Sequence, residues 1–424
     1  MTISKRAITQ YMLMYLILIG NRSVLMRTTG DTRFFWMVLL VLALASSAVV
    51  FKAVTQKMIL FPTALLSVGL LLARMTGASV GIGYLVEMVG STLLAYAAVM
   101  IEPNKAAHRF VKTVCFFACV SVLLYTLSFF FLEQLKALLG LAYSETVVFS
   151  KGVGWESVYE WNYYGKLLYS IGRDSRNCGL YTEPGLYQIV LNAALYVLLF
   201  HPDRLYLTKK EYMQSIIVII VAIITSLSAA GLLTTGGIVL YYSFTSKRYN
   251  MTKKNNQHPF FKNIPLYIGA VILLVLLDFI LRGNKSIVYI GVIEKIQGLS
   301  FTEMSGSTGN ARLVSALISI KSFLKFPLGA GVNRVRLVTQ TFENGSLAAG
   351  CGLFSYLGTL GILGWGAVVS LTIYPAIKNS RFNKSWKLIL FMYVVFGITQ
   401  TYIMTPVLIF LAYLICFPAE GKVE

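Results

Sequence analysis

Charge is the first thing this chain is short of. Only 13% of its 424 residues are Asp, Glu, Lys or Arg, about half the roughly 25% of soluble domains. A soluble domain of this length needs more surface charge, so a soluble class is excluded. Acid is scarcer than base: 17 Asp and Glu stand against 37 Lys and Arg, giving a formal net charge of +20. In a soluble protein such an excess suggests nucleic acid. Here no Arg/Lys stripe interleaves with aromatics, and the cations sit in short segments between apolar runs, which excludes that partner. Histidine is limited to His108, His201 and His258. All three fall in segments read below as inner loops, which argues against a zinc site or a histidine base on the outer face. The five cysteines have no metal-ligand spacing. Cys115 and Cys119 lie four apart inside an apolar run, where Cys behaves as a small hydrophobe. Cys178 and Cys351 both fall towards the outer face, and a disulfide between them is open. A small-residue cleavage site is missing too. Lys5 and Arg6 precede an apolar stretch as in a signal peptide, but Asn21 and Arg22 follow it, so the stretch reads as a first membrane helix. No internal repeat or low-complexity tract is present.

What is abundant is apolar length. Hydrophobic residues make up 57% of the chain, and its mean hydropathy is +0.70. Runs such as Trp36–Phe51 and Met213–Phe244 are too long and too apolar for a soluble core. The pattern predicts an all-α integral membrane protein with about twelve spans: 7–21, 34–51, 57–73, 80–101, 111–132, 181–200, 213–228, 230–245, 264–281, 346–374, 387–400 and 403–417. Met213–Phe244, 32 residues, would be about 48 Å long as one helix, against a hydrocarbon core of about 30 Å, so a break is expected near Ser226–Gly231. A second break is expected at Thr405–Pro406, because proline disrupts a helix. With both termini inside, 20 of the 37 Lys and Arg lie in inner segments and four (Arg22, Arg27, Arg33 and Arg74) in short outer loops. That bias sets the orientation, with the first outer loop as a local violation.

The remaining 13 Lys and Arg lie in two long outer loops, which are exempt from the rule. The organisation is therefore N-terminal membrane helices over 1–132, a first long loop over 133–180, central helices over 181–281, a second long loop over 282–345 and C-terminal helices over 346–424. The first loop is rich in Trp and Tyr. The second contains a predicted helix, Ala311–Lys325, ended by Pro327. Its apolar positions Leu313, Leu317, Ile320 and Leu324 lie on one face and Ser315, Ser319 and Ser322 on another; it suits a membrane surface or a cavity cover.

Three clusters could carry chemistry. Gly172–Gly185 joins the first loop to the sixth span and brings Arg173, Asp174, Arg176 and a Glu183-Pro184 break to the interface. Arginine presents a rigid donor fork that binds phosphate bidentately; the plain alternative is contact with lipid headgroups. Ser305–Arg312 opens the second-loop helix, where backbone N–H groups attract anions, and Pro327–Arg336 follows it with Gly329, Gly331, Arg334 and Arg336. Here the plain alternative is an ordinary helix start and a glycine turn. Glu343-Asn344-Gly345-Ser346 precedes the tenth span, where a carboxylate can also serve only the helix dipole. Glu87 is the one carboxylate well inside a span. Its insertion costs about 2.5–3.5 kcal/mol, so it is either functional or a hydrogen-bonded structural acid. Together the clusters bring Arg173, Arg176, Arg312, Arg334, Arg336 and Glu343 to one face, fitting a lipid-linked phosphate substrate.

At these residues the chain resembles the O-antigen polymerase and ligase superfamily of bacterial membrane glycosyltransferases. The resemblance rests on Arg176–Gly185, read as Arg-x-x-Gly-x-x-x-Glu-Pro-Gly; on Arg312, its helix and Pro327–Gly331; and on Asn344 leading into Gly361-Ile362-Leu363-Gly364. It covers about residues 170–370. It implies a multi-pass protein of the bacterial cell membrane that handles undecaprenyl-diphosphate-linked oligosaccharide without metal or cofactor. It also implies membrane lipid around the protein, and a flippase and chain-length regulator of the same pathway as partners. Ligases of this family place His directly before the Asn; here Glu343 stands there, which favours the polymerase branch. The resemblance then implies Glu343 as catalytic base, with Arg173, Arg176, Arg312, Arg334, Arg336, Glu183 and Asn344 binding substrate. The rival readings are a ligase that transfers a finished glycan and a lipid-linked oligosaccharide flippase.

Overall fold

The computed structural model describes residues 4–54, 56–142, 144–149, 159–164, 176–250, 280, 308–339, 351–378, 385–400 and 404–417. Ten helices lie in the first part of the chain: α1 Lys5–Ile19, α2 Val24–Thr29, α3 Asp31–Val54, α4 Lys57–Met75, α5 Gly83–Met100, α6 Pro103–Ser128, α7 Leu132–Ala142, α8 Pro184–Phe200, α9 Lys209–Ser226 and α10 Ala229–Asn250. After them come α11 Thr308–Lys325, α12 Gly331–Thr339, α13 Gly352–Lys378, α14 Trp386–Thr399 and α15 Pro406–Cys416. Among the described residues the helical pattern is broken by a two-stranded antiparallel sheet, β1 Ser144–Phe149 with β2 Tyr159–Tyr164, in which Ser144 pairs with Tyr164 and Phe149 with Tyr159. The expected ninth span, 264–281, lies outside the described residues except for Ile280.

Among the described residues five helices are long and apolar enough to cross a membrane: 32–53 within α3, α4, α5, α6 and α13. Helices α8, α14 and α15 are apolar but shorter, at 17, 14 and 11 residues. At 1.5 Å per residue α15 is only about 16 Å long, half a hydrocarbon core. Both expected breaks are present. α9 ends at Leu227 in the left-handed conformation (φ 47°) before α10 begins at Ala229. α14 ends at Thr399, and Thr405 caps α15 with its side chain ahead of Pro406, the position where proline costs a helix nothing.

Burial sorts the helices into centre and rim. Every residue of α15 is buried, and so is α8 from Pro184 to Leu199. Around them α1, α5, α6, α9, α13 and α14 pack closely. On the rim, large apolar side chains face outward: Leu44 of α3 is 80% exposed, Phe51 75%, Met75 of α4 75% and Phe61 67%. Water does not tolerate a continuous apolar surface of that kind, whereas lipid does.

The breaks leave backbone groups that cannot turn to water in such a core. Side chains of α8 meet them. Gln188 Nε2 donates to Ile223 O at 2.9 Å and bonds Ser226 Oγ, and Asn192 Nδ2 donates to Gly231 O at 3.3 Å. Thr235 Oγ1 then donates to Asn192 Oδ1 at 2.9 Å. Gly231 is forced by this clamp, since a Cβ there would come within 2.2 Å of Gln188.

The second glycine motif is an interlock. α13 kinks at Gly361 (φ 71°), and the turn after α11 fits the kink: Ile362 N donates to Pro327 O at 3.0 Å and Ala330 N to Gly358 O at 3.1 Å. A Cβ on Gly361 would lie 2.4 Å from the Leu328 carbonyl carbon. α11 itself packs its serine face inward, with Ser322 fully buried and Ser319 beside Gly358, while Leu324 is 74% exposed. Small residues inward and leucines outward is how helices associate where the surroundings are apolar.

Candidate functional site

The segment 176–183, with its irregular backbone, runs buried between helices. Asn177 fixes one end: its N–H donates to Thr225 O at 3.1 Å, its Nδ2 to Thr225 Oγ1 at 3.1 Å and to Ser121 Oγ at 3.3 Å. Tyr181 OH donates to Leu18 O at 3.0 Å, and Ser23 and Tyr181 form an isolated bridge. Arg176 opens this segment and is half-buried. Glu183 closes it as the N-cap of α8, yet its carboxylate makes no capping hydrogen bond. The Glu183 carboxylate lies within electrostatic reach of Arg312, in the first turns of α11. Burial pulls the Arg312 guanidinium below its ordinary value, and the Glu183 charge pulls it back up. Glu183 and Arg312 are more than a hundred residues apart in the chain, so the fold joins the first and second clusters here. Cys351, just before α13, also lies within electrostatic reach of Arg312. Cys178 and Cys351 are both buried, and no disulfide joins them.

Glu87, in α5, and Arg22, in the turn after α1, both act electrostatically on the hydroxyls of Tyr84 and Tyr356. The two tyrosine rings meet edge to face, centroids 6.2 Å apart. Arg22 is thus half-buried within the fold. Gln400 ties the start of α13 to the start of α8: its O accepts from Gly352 N at 2.7 Å, and its side chain packs on Gly185.

The other expected site residues distribute unevenly. Arg334 bonds Thr76 O and stacks 4.7 Å over the Phe326 ring, while Asn333 Oδ1 accepts from Ser79 N at 2.8 Å. Arg334 therefore anchors α12 to the α4–α5 turn. Arg336 lies in α12. Arg173, Glu343 and Asn344 lie outside the described residues. Among the described residues no three His, Cys, Asp or Glu side chains gather as a metal site. Sequence reading named Arg22 and Glu87 but passed over Tyr84, Tyr356 and Gln400; the signal for the tyrosines was Glu87, an acid inside an apolar helix. No protein-family model matches this chain, and no curated protein matches it.

Proposed function

We propose that the chain polymerises undecaprenyl-diphosphate-linked oligosaccharide repeat units into a surface polysaccharide, at the outer leaflet of a bacterial cell membrane, as a twelve-span member of the O-antigen polymerase and ligase superfamily. What supports this reading is that Glu183 lies within electrostatic reach of Arg312, because the resemblance treats the two motifs that carry them as one site. In the reaction the acceptor sugar hydroxyl attacks the donor's anomeric carbon, the bond from that carbon to the lipid diphosphate breaks, and the diphosphate leaves with the electron pair. Arg176 and Arg312, with Arg173, receive the charge that develops on the leaving group. Glu343 takes the hydroxyl proton, the role for which one carboxylate suffices. The transition state is oxocarbenium-like, and a diphosphate leaving group needs no general acid.

Two experiments test the reading. Cells lacking the protein accumulate single lipid-linked repeat units on the outside of the membrane. The flippase reading has its own support in the breaks at Leu227 and before Thr405, since transporters place broken helices around their sites; it predicts accumulation on the inside. Topology is checked by reporter fusions, which are expected to report cytoplasm at Asn255 and Asn379 and outside at Lys151 and Thr302. Opposite sides for the last two would divide the proposed active face.

A further inference from the structure

α8 runs from its N-cap Glu183 to Phe200. The end of the bundle that it reaches, where α6 and α9 begin, has a basic surface that the reaction above does not use. Lys105 and Lys112 stand three before and four after His108 in α6, and at that helical spacing the three side chains share a face. The chain that leaves α8 runs against this face. Its Tyr206 ring meets the His108 ring edge on, centroids 5.7 Å apart, and is 62% exposed. Lys209 and Lys210, three and four residues beyond Tyr206, open α9, which packs against α6. All four lysines are exposed, and none of them is in an ion pair among the described residues. The acids on the same segments have other partners. Glu102 pairs with Arg109, and Glu211 accepts from the N–H and hydroxyl of Thr208 at 2.8 and 2.9 Å. Asp203 acts on Arg204, whose Nη1 donates to Leu414 O at 2.7 Å.

Directly beyond the lysines both helices turn apolar side chains outward. On α6 Phe116, one turn after Lys112, is 58% exposed, and on α9 Ile217 is 54% exposed, with Val221 and Ile224 after it. Such a surface belongs in hydrocarbon, so the lysines sit at headgroup level, beside an exposed tyrosine of the kind that gathers there. Unneutralised charge from two helices calls for an anion, and the apolar strips that start a turn below call for a tail on it. A soluble phosphate would meet the lysines and leave the strips unused. Basic pockets between membrane helices on the cytoplasmic side are where anionic headgroups bind, and the charge pattern places this end inside. We propose that Lys105, Lys112, Tyr206, Lys209 and Lys210 form a binding site for an anionic phospholipid, with its phosphate among the lysines and its acyl chains along Phe116 and Ile217. The site is independent of the glycosyl transfer proposed above.

The test is native mass spectrometry of the full-length protein in detergent, titrated with dioleoylphosphatidylglycerol or with dioleoylphosphatidylcholine. A lysine at an anionic headgroup contributes about fivefold in affinity, so Lys105→Gln with Lys209→Gln should weaken phosphatidylglycerol about 25-fold, and the wild type should prefer it to phosphatidylcholine by at least that factor. The double variant should bind phosphatidylcholine as the wild type does. Lys378→Gln with Lys387→Gln removes two exposed lysines from another segment expected on the same side and should leave phosphatidylglycerol binding unchanged. Glycerol phosphate, the headgroup without its tails, should not displace the bound lipid. All of these variants alter exposed side chains, and an unfolding temperature equal to that of the wild type confirms that each is folded. No preference for phosphatidylglycerol would overturn the site and leave the lysines to an acidic protein or to topology alone. Equal weakening by the two double variants would overturn it in favour of diffuse surface charge, and displacement by glycerol phosphate in favour of a soluble anion.

Discussion

The two ends of α5 hold charge in opposite ways. At its C-terminal end Arg109 is 5% exposed, bonds Gln10 Oε1 and Glu102 Oε2, and sits 5.5 Å from the Tyr11 ring. Gln10 Nε2 in turn donates to Ala98 O at 2.7 Å and Glu102 O at 3.2 Å. That network closes on itself and staples α1, α5 and α6. At the N-terminal end, Glu87 and Arg22 are half-buried and both act on the hydroxyls of Tyr84 and Tyr356, and across the Ser23–Tyr181 bridge Glu183, an N-cap that does not cap, lies within electrostatic reach of half-buried Arg312. Buried charge is costly either way. Where it serves packing it is enclosed; where it stays reachable, a ligand can take part in the pairing. The comparison predicts that breaking the first end lowers stability and breaking the second lowers activity.

The largest stability effect belongs to the closed end. Glu102→Ala leaves Arg109 buried beside a lost partner, which should cost about 3–5 kcal/mol. Thermal unfolding of the purified protein measures it, and a change within the ±0.5 kcal/mol typical of surface substitutions would make the two ends alike. At the open end, Arg312→Ala should lower turnover about a hundred- to thousand-fold, equivalent to about 2.7–4 kcal/mol of transition-state stabilisation, while unfolding stays near wild type. Arg312→Lys keeps charge without the fork and should still impair turnover. Gly361→Ala strains a left-handed position by at least about 1–2 kcal/mol and adds a backbone clash. It should loosen the interlock, seen as protease cleavage near Pro327.

The smallest effect lies far from both ends. Thr208 caps α9 with Glu211 in a reciprocal capping box, so Thr208→Ala should cost about 1 kcal/mol. The Thr208 N–H and hydroxyl hold the Glu211 carboxyl below its ordinary value. A depressed carboxylate stabilises the fold above its unfolded pKa of about 4.3 and loses that contribution as pH falls. Any stability advantage of wild type over Glu211→Gln should therefore be present at neutral pH and fade in acid.

Much of the helix pattern was legible because apolar runs and their breakers are local signals. Both splits, Ser226–Gly231 and Thr405–Pro406, follow from length and proline alone. The second-loop helix was also legible, down to Pro327, but not its orientation. Its serines face inward because Gly358 leaves room for them, a fact about a partner helix rather than about the segment. The site was half legible. Arg312 and Glu183 stand out in motifs, but the sequence does not say that Glu183 forgoes its cap. Arg22 looked like a flaw in a topology rule until Tyr84 and Tyr356 were placed around it. Arg334 looked like a phosphate ligand by residue type, and the sequence does not say that it also bonds the Thr76 carbonyl.

The central claim is glycosyl transfer between lipid-linked repeat units at the Arg312 end. Purified full-length protein in nanodiscs, given those repeat units and followed by product length, measures it directly. The account predicts a ladder of polymer from the wild type, lost at least about a hundred-fold in Arg312→Ala and in Glu343→Gln although both variants unfold at the wild-type temperature. A wild-type protein that makes no ladder, or an Arg312→Ala protein that makes a normal one, would contradict it.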